Sequence, residues 1–195
     1  MSEPEQKAAN EADPVYQRVE QDIWAWIHEF VTVPSEFYDF KFPPCPYARG
    51  ALINKTVDVK VWLSPRQSGD VKAFIKQCSE AVRETPTLTT RVMAFPPKVR
   101  FAWGINDYVE LLNTQLIKDG IFLNTGTAKS TTSRYPGPPS KEPYFIVIAN
   151  SLGPVLEGAE SLAKTDYYKD WPGAHYELVV ERRARMAKQY GFDKK

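Results

Sequence analysis

Apolar positions recur with different periods along the chain, and the periods divide it into elements. Val15, Val19, Ile23, Trp26, Ile27 and Phe30 follow one another at helical spacing, and Asp13-Pro14 ahead of them supplies an N-cap and a first position preset for a helix. The pattern predicts a first helix running to about Phe30, because Pro34 bars continuation. Val57, Val59, Val61 and Leu63 alternate instead with Asp58, Lys60, Trp62 and Ser64, the period of two of a strand with unequal faces. Ser68 then caps a helix whose stripe is Val71, Phe74, Ile75, Cys78 and Val82, and Leu88 to Phe95 reads as a second strand ended by Pro96-Pro97.

The strand and helix alternation continues. Ile105, Val109, Leu112 and Leu116 mark a helix that Gly120 stops, leading into a short strand at Ile121-Phe122-Leu123. Residues 124–142 are rich in Ser, Thr, Gly and Pro, which suits a lid, an insertion or a binding loop. Tyr144 to Ala149 is continuously apolar, as a central strand covered on both faces requires, and Gly153-Pro154 can open a helix carrying Val155, Ala159 and Leu162. A last helix is predicted from about Ala174 to Tyr190. These elements predict an α/β (or α+β) fold: a single domain over residues 13–195, with about four strands in a mixed sheet packed with four to five helices in two or three layers. Strand order does not follow from the pattern. Residues 1–12 carry Glu3, Glu5 and Glu11 with no apolar period, and read as a disordered acidic tail.

One stretch fits neither period. Phe37-Tyr38-Asp39-Phe40-Lys41-Phe42-Pro43-Pro44-Cys45-Pro46-Tyr47 is aromatic and proline-rich, and predicts an ordered, sticky loop. Composition narrows the partners. With 25 Lys+Arg against 24 Asp+Glu the net charge is +1, so attraction of nucleic acid by bulk charge is disfavoured. Two cysteines, Cys45 and Cys78, are too few for a disulfide framework and lack a CxxC pairing. No apolar run approaches the roughly 20 residues that span a bilayer. The N-terminal stretch lacks the charge and apolar regions of a signal peptide. The expectation is a cytoplasmic protein without membrane association.

Cys45 is the first candidate for chemistry. It lies between two prolines with Arg49 four residues on, and a nearby guanidinium favours the thiolate, the reactive form. A helix beginning at Tyr47 would add to that effect. The plainer reading is a buried small hydrophobe that fixes a tight loop. Cys78 sits on a helical stripe and reads as structural. Only His28 and His175 can serve a histidine mechanism, and both have bland readings near helices. A site joining them to a carboxylate such as Asp39 lacks HExxH or Glu-x-x-His spacing, and no GxSxG elbow supports a serine triad; no metal site is predicted.

Two further segments could meet a ligand. Asn150-Ser151-Leu152-Gly153-Pro154 lies where a strand gives way to a helix, and free backbone N–H groups there would favour a carboxylate or phosphate. The alternative is an ordinary strand-to-helix turn. Gly126-Thr127-Ala128-Lys129-Ser130-Thr131 fails as a phosphate loop because Ala128 and Leu123 occupy the glycine positions, although Lys129, Arg134 and Tyr135 could reach a ligand from the long loop. The C-terminal segment from Glu181 holds Arg182, Arg183, Arg185, Lys188, Lys194 and Lys195 against Glu181 and Asp193. Part of that excess complements a helix C-terminus, and a basic surface for an anionic partner is the other reading.

These residues resemble a family of small uncharacterised bacterial proteins marked by a W-x-x-x-V helix, a C-P-F-A motif and an N-D-F-L segment. Trp26 to Phe30, Cys45-Pro46-Tyr47-Ala48, Leu88 to Met93, Asn106-Asp107-Tyr108-Val109, Ser133-Arg134-Tyr135-Pro136 and Glu181-Arg182 are similar to its elements and colinear with them from Val15 to Gly191. The resemblance brings no activity with it. Where that family carries histidines, this chain has Pro96-Pro97 and Ile146-Val147, so chemistry needing them is not expected. Pro44 to Leu52 is also similar to the F-P-C-x-x-A-x-x-A-L stretch of haem-dependent N-oxygenases. That likeness implies haem, with Cys45, His28 or His175 as its ligand.

The leading expectation is a small-molecule-binding protein, in its sharper form an enzyme acting on an anionic metabolite. Cys45 would be the reactive residue, Arg49 and Arg134 the anion contacts, Tyr47, Tyr135, Asn150 and Ser151 further contacts, and Asn106 or Asp107 polar support. The alternatives are an interaction or structural protein that binds a macromolecule through the aromatic loop and basic C-terminus, and a haem-dependent oxygenase.

Overall fold

A computed structural model describes residues 13–63, 68–96, 104–126 and 141–192. The acidic tail, most of the long loop with Lys129, Arg134 and Tyr135, and the last three residues lie outside the described residues. The strands are β1 (Val57–Val61), β2 (Thr90–Phe95), β3 (Ile121–Gly126) and β4 (Phe145–Ser151), in the order β1-β2-β4-β3. β1 runs parallel to β2, while β4 is antiparallel to both β2 and β3. The sheet is therefore mixed, as the strand count and helical connections predict. β4, the most apolar run, is central.

Alternation along the strands assigns the two faces. Met93, Phe95, Leu123, Val147 and Ala149 pack with Val71, Ile75, Cys78 and Val82 of α3 (Ser68–Glu84) and with Ile105, Val109, Leu112 and Leu116 of α4 (Ile105–Leu116). Val59, Val61, Val92, Ala94 and Ile146 face the other way, against Tyr16, Val19, Ile23 and Ile27. Tyr16, Val19 and Ile23 belong to α1 (Pro14–Trp26). Phe122 extends this second face toward α5 (Leu152–Leu162) and α7 (Arg182–Gln189), where it meets Leu152, Leu156 and Ala187. Helices thus cover both faces.

Several boundaries differ from the sequence expectation. α1 begins as expected, with the Asp13 carboxylate accepting from the Val15 N–H at 2.7 Å. Its regular turns end at Trp26, however, and Ile27–Val31 form a wider π turn. Thr32 closes it, its hydroxyl donating to the Ile27 and His28 carbonyls. The aromatic stretch contains a 3₁₀ turn at Glu36–Tyr38, and α2 (Pro46–Ile53) starts within it, Pro46 taking the first helical position. β3 is twice its expected length because pairing with β4 carries it through Asn124 and Thr125 to Gly126.

β3 is an edge strand, and its outward backbone groups meet a side chain. Asn113 of α4, which is 1% exposed, donates from Nδ2 to the Leu123 carbonyl at 3.1 Å. Its Oδ1 accepts from the Leu123 N–H at 2.7 Å. One amide therefore supplies both hydrogen bonds that a further strand would have made there.

The final helix is one run from Gly173 to Gln189 in three parts: α6 (Gly173–Tyr176), a π turn at Glu177–Glu181, and α7. Among the described residues no helix is long and apolar enough to cross a membrane.

Candidate functional site

The aromatic stretch is built into the molecule by hydrogen bonds at several points. The Cys45 N–H donates to the Val31 carbonyl at 3.1 Å, and the Ser35 N–H to the Phe42 carbonyl at 3.1 Å. Between them Asp39 and Phe40 both take left-handed backbone, with φ of 51° and 58°, which turns the chain back on itself. The other side is held by a turn that the periodicity did not predict, a 3₁₀ segment at Asp166–Tyr168 capped by the Thr165 hydroxyl.

Between these two segments runs a relay of side-chain hydrogen bonds. Trp171 Nε1 donates to the Tyr38 hydroxyl at 3.2 Å, Tyr38 donates to the Tyr167 hydroxyl at 3.1 Å, and Tyr167 donates to the Pro44 carbonyl at 2.6 Å. The Tyr38 and Tyr167 rings stack with centroids 4.6 Å apart, and Phe42 meets Tyr167 edge-on at 5.5 Å. A buried polar network with every member bonded is stiff. Burial raises the Tyr38 and Tyr167 pKa values, so both are neutral at pH 7.

Cys45 lies at the edge of this assembly, half-buried, as the N-cap residue of α2. No capping hydrogen bond reaches its sulfur, but the Tyr47 and Ala48 amides at the helix start act to lower the thiol pKa. The cation acting on it is Arg183 of α7, whereas Arg49 is exposed. Burial outweighs both and pushes the thiol up. The expected activation by Arg49 is thereby corrected: desolvation decides the protonation state, and the sulfur is a neutral thiol at pH 7.

Arg183 is the residue that the sequence reading passed over as part of a basic tail. It is 6% exposed and lies over the Phe122 ring, 6.0 Å from its centroid. Its Nε is sealed from solvent with no acceptor, and among the described residues no carboxylate pairs with it. Burial pulls its pKa down, and the titratable groups that act on it electrostatically are Tyr168, Tyr47 and Cys45. Arg91, the other inward arginine, is by contrast paired with Asp58 at 2.8 Å. An uncompensated buried cation is costly in a protein interior.

Tyr47 completes the arrangement. Its ring fits against α5 only because residue 158 is glycine, since a Cβ there would overlap the ring. Its hydroxyl is buried with no hydrogen bond of acceptable geometry, although Tyr168 lies alongside. Burial raises the pKa of both tyrosines. The groups that act on this guanidinium are thus two phenolic O–H groups and one S–H, all of them neutral at pH 7. Cys45, Tyr47, Tyr168, Trp171 and His175 all retain partial exposure, so the cluster reaches the surface. His175 packs against Trp171 with the rings tilted and their centroids 4.6 Å apart, and burial lowers its pKa.

The other expected residues lie elsewhere. Asn106 and Asp107 are exposed in the first turn of α4, whose apolar stripe packs on the opposite sheet face. The N–H groups expected to be free near Asn150 and Ser151 are engaged: Ser151 donates to the Thr89 carbonyl at 2.8 Å and Leu152 to the Gly120 carbonyl at 2.7 Å. The Asn150 side chain accepts from the Thr90 hydroxyl at 3.2 Å. This turn stitches β4 to its neighbours and does not present those amides to an anion. His28 is exposed on the first π turn, and among the described residues no cluster of His, Cys, Asp and Glu could hold a metal ion.

The basic C-terminal segment is also less free than its charge implies. Arg182 pairs with Glu110, Arg185 pairs with Glu177 at 2.7 Å, and Arg183 is buried. No family model, curated protein or solved structure matches the chain.

Proposed function

We propose that this protein binds a small anionic molecule at the cluster formed by Cys45, Tyr47, Tyr168 and Arg183. The observation that carries this reading is Arg183, buried with no carboxylate paired to it among the described residues, its Nε and the Tyr47 hydroxyl each sealed without a hydrogen-bond partner. Each lacks an acceptor of acceptable geometry, which an anion admitted to the cluster would supply. Each titratable group that acts on Arg183 can donate a hydrogen, and none is a base at pH 7. The cluster is suited to holding and polarising an anion, not to abstracting a proton. Cys45 serves here as a neutral donor and as the N-cap residue that sets the position of Tyr47.

The test is thermal unfolding of the full chain in a buffer free of carboxylate and phosphate, with acetate, formate, sulfate and phosphate then added singly. At least one should raise the midpoint in a saturable manner, as a ligand of the folded state must. The same anion should leave Arg183→Met unmoved. Equal responses from wild type and variant would place the effect on bulk salt and remove the proposal.

A further inference from the structure

The helical run from Gly173 to Gln189 is thinly rooted. Of its residues only Arg183 and Ala187 are buried, and neither α6 nor the π turn buries any. By contrast α4 sinks Ile105, Val109, Leu112 and Leu116, and α1 sinks Tyr16, Val19 and Ile23. An alanine removes little apolar area from water. The arginine beside it opposes docking, because its Nε is sealed from solvent without a hydrogen-bond partner.

What holds α7 down lies just past its end. Gly191 takes left-handed backbone with φ of 72°, and its N–H donates to the Lys188 carbonyl at 3.3 Å. The Phe192 N–H donates to the Ala187 carbonyl at 2.9 Å. This Schellman turn returns Phe192 to the cluster of Ile117, Phe122, Leu152 and Leu156, which Met186 and Ala187 also join. There the ring stands 3.1 Å from the point where a Cβ on Gly120 would lie, and 4.0 Å from one on Gly153. A side chain at residue 120 would crowd it. The Arg182–Glu110 pair also reaches across from α7, but it is open to solvent and adds little.

We infer that α7 is a gate latched by Phe192, which opens as a unit about the wide turn at Glu177–Glu181 and so gives access to the sealed guanidinium of Arg183. Upstream of that turn the run is held by Tyr168 against Tyr176 at 5.0 Å and by Trp171 against His175 at 4.6 Å, so the hinge lies between two anchored parts. Opening hydrates Arg183, which favours the open state, and uncovers Phe122, Leu152 and Leu156, which favours the closed one. The opening itself is independent of any ligand. Its link to an anion rests on the binding reading above: an anion paired with Arg183 relieves the cost of sealing it and holds the gate shut.

The experiment is amide hydrogen exchange, followed by NMR on the full-length protein in a buffer free of carboxylate and phosphate. The α7 amides should share one opening, at least about tenfold more frequent than that of Val147 and Ile148 in β4, and low urea should speed β4 but hardly α7. Phe192→Ala should speed α7 exchange about tenfold or more, Phe192→Leu less, and Arg183→Met should slow it about tenfold. Exchange of α7 at the β4 rate, no response to Phe192→Ala, or acceleration by Arg183→Met would each overturn the gate and leave the anion site standing. Acetate, formate, sulfate and phosphate are then added singly. Whichever raises the unfolding midpoint through Arg183 should slow α7 as well as β4. Slowing of β4 alone would show a ligand indifferent to the gate and overturn the link. If none of the four raises the midpoint, the binding reading and the link fall together, and the gate is decided by the exchange of the ligand-free chain.

Discussion

Replacing Arg183 with methionine should stabilise the ligand-free protein. The side chain is 6% exposed, no described carboxylate offsets its charge, and its Nε has no acceptor. An ion held in the interior costs several kcal/mol even after relaxation. The one compensation visible is the Phe122 ring at 6.0 Å, a cation–π contact of about 0.5–2 kcal/mol. Methionine has comparable length and bends into irregular space, so little packing is forfeited. The balance favours the variant by about 1–3 kcal/mol, which at this chain length raises the unfolding midpoint by roughly 2–10 °C. The assay is calorimetry or circular dichroism on dialysed protein, in a buffer without carboxylate or phosphate. A midpoint several degrees below wild type, with cooperative unfolding retained, would show that Arg183 has a structural partner and would refute the reasoning at its root.

Four other outcomes are expected. Gly158→Ala should destabilise the protein by about 1–3 kcal/mol, because the new Cβ overlaps the Tyr47 ring; urea unfolding should show most of this loss relieved when Tyr47→Ala is added, and additive losses would contradict it. Asn113→Leu should cost about 2–4 kcal/mol, since both Leu123 backbone groups lose their partner, and amide exchange should accelerate first at Leu123. Tyr167→Phe cuts the relay between Tyr38 and the Pro44 carbonyl and should cost about 1–3 kcal/mol, read as a lowered urea midpoint, with unchanged stability counting against the relay. Burial pushes the Cys78 thiol up to about 11 from an ordinary value of 9.0, so its contribution is complete below pH 9 and declines as pH rises toward 11; relative to Cys78→Ala, wild type should lose stability across that window, and a constant difference would contradict the assignment.

The sheet and its covering helices were legible in the sequence because burial there follows a regular period. Val92 and Ala94 face one way and Met93 and Phe95 the other, as alternation requires. The interior of the candidate site was only half legible. Cys45 and Tyr47 stood out because prolines flank an aromatic run. Arg183 did not, because a charge on a terminal helix reads as a solvated residue. Its spacing from Met186 and Ala187, three and four residues on, is nevertheless the signal that places it on the buried face. That phase cannot be carried upstream, since the wider turn at Glu177–Glu181 interrupts it. Tyr167 and Tyr168 escaped notice because a short 3₁₀ turn has no apolar period to detect, and Trp171 because it lies beyond that turn in irregular backbone. Gly158 could not be distinguished from a tolerated helical glycine, because its reason is the Tyr47 ring, distant in sequence.

The wide turn at Glu177–Glu181 has an implication for how this chain can vary in length. A turn closed five residues back, in place of four, accommodates one surplus residue without disturbing the segments on either side. Dropping a single residue there, Val179 for instance, should let the turn relax to ordinary α geometry while His175 and Arg183 keep their orientations. An unaltered exchange pattern on both flanks of such a shortened chain would mark this turn as a splice point, where the helix absorbs an insertion and the aromatic cup is spared its effects.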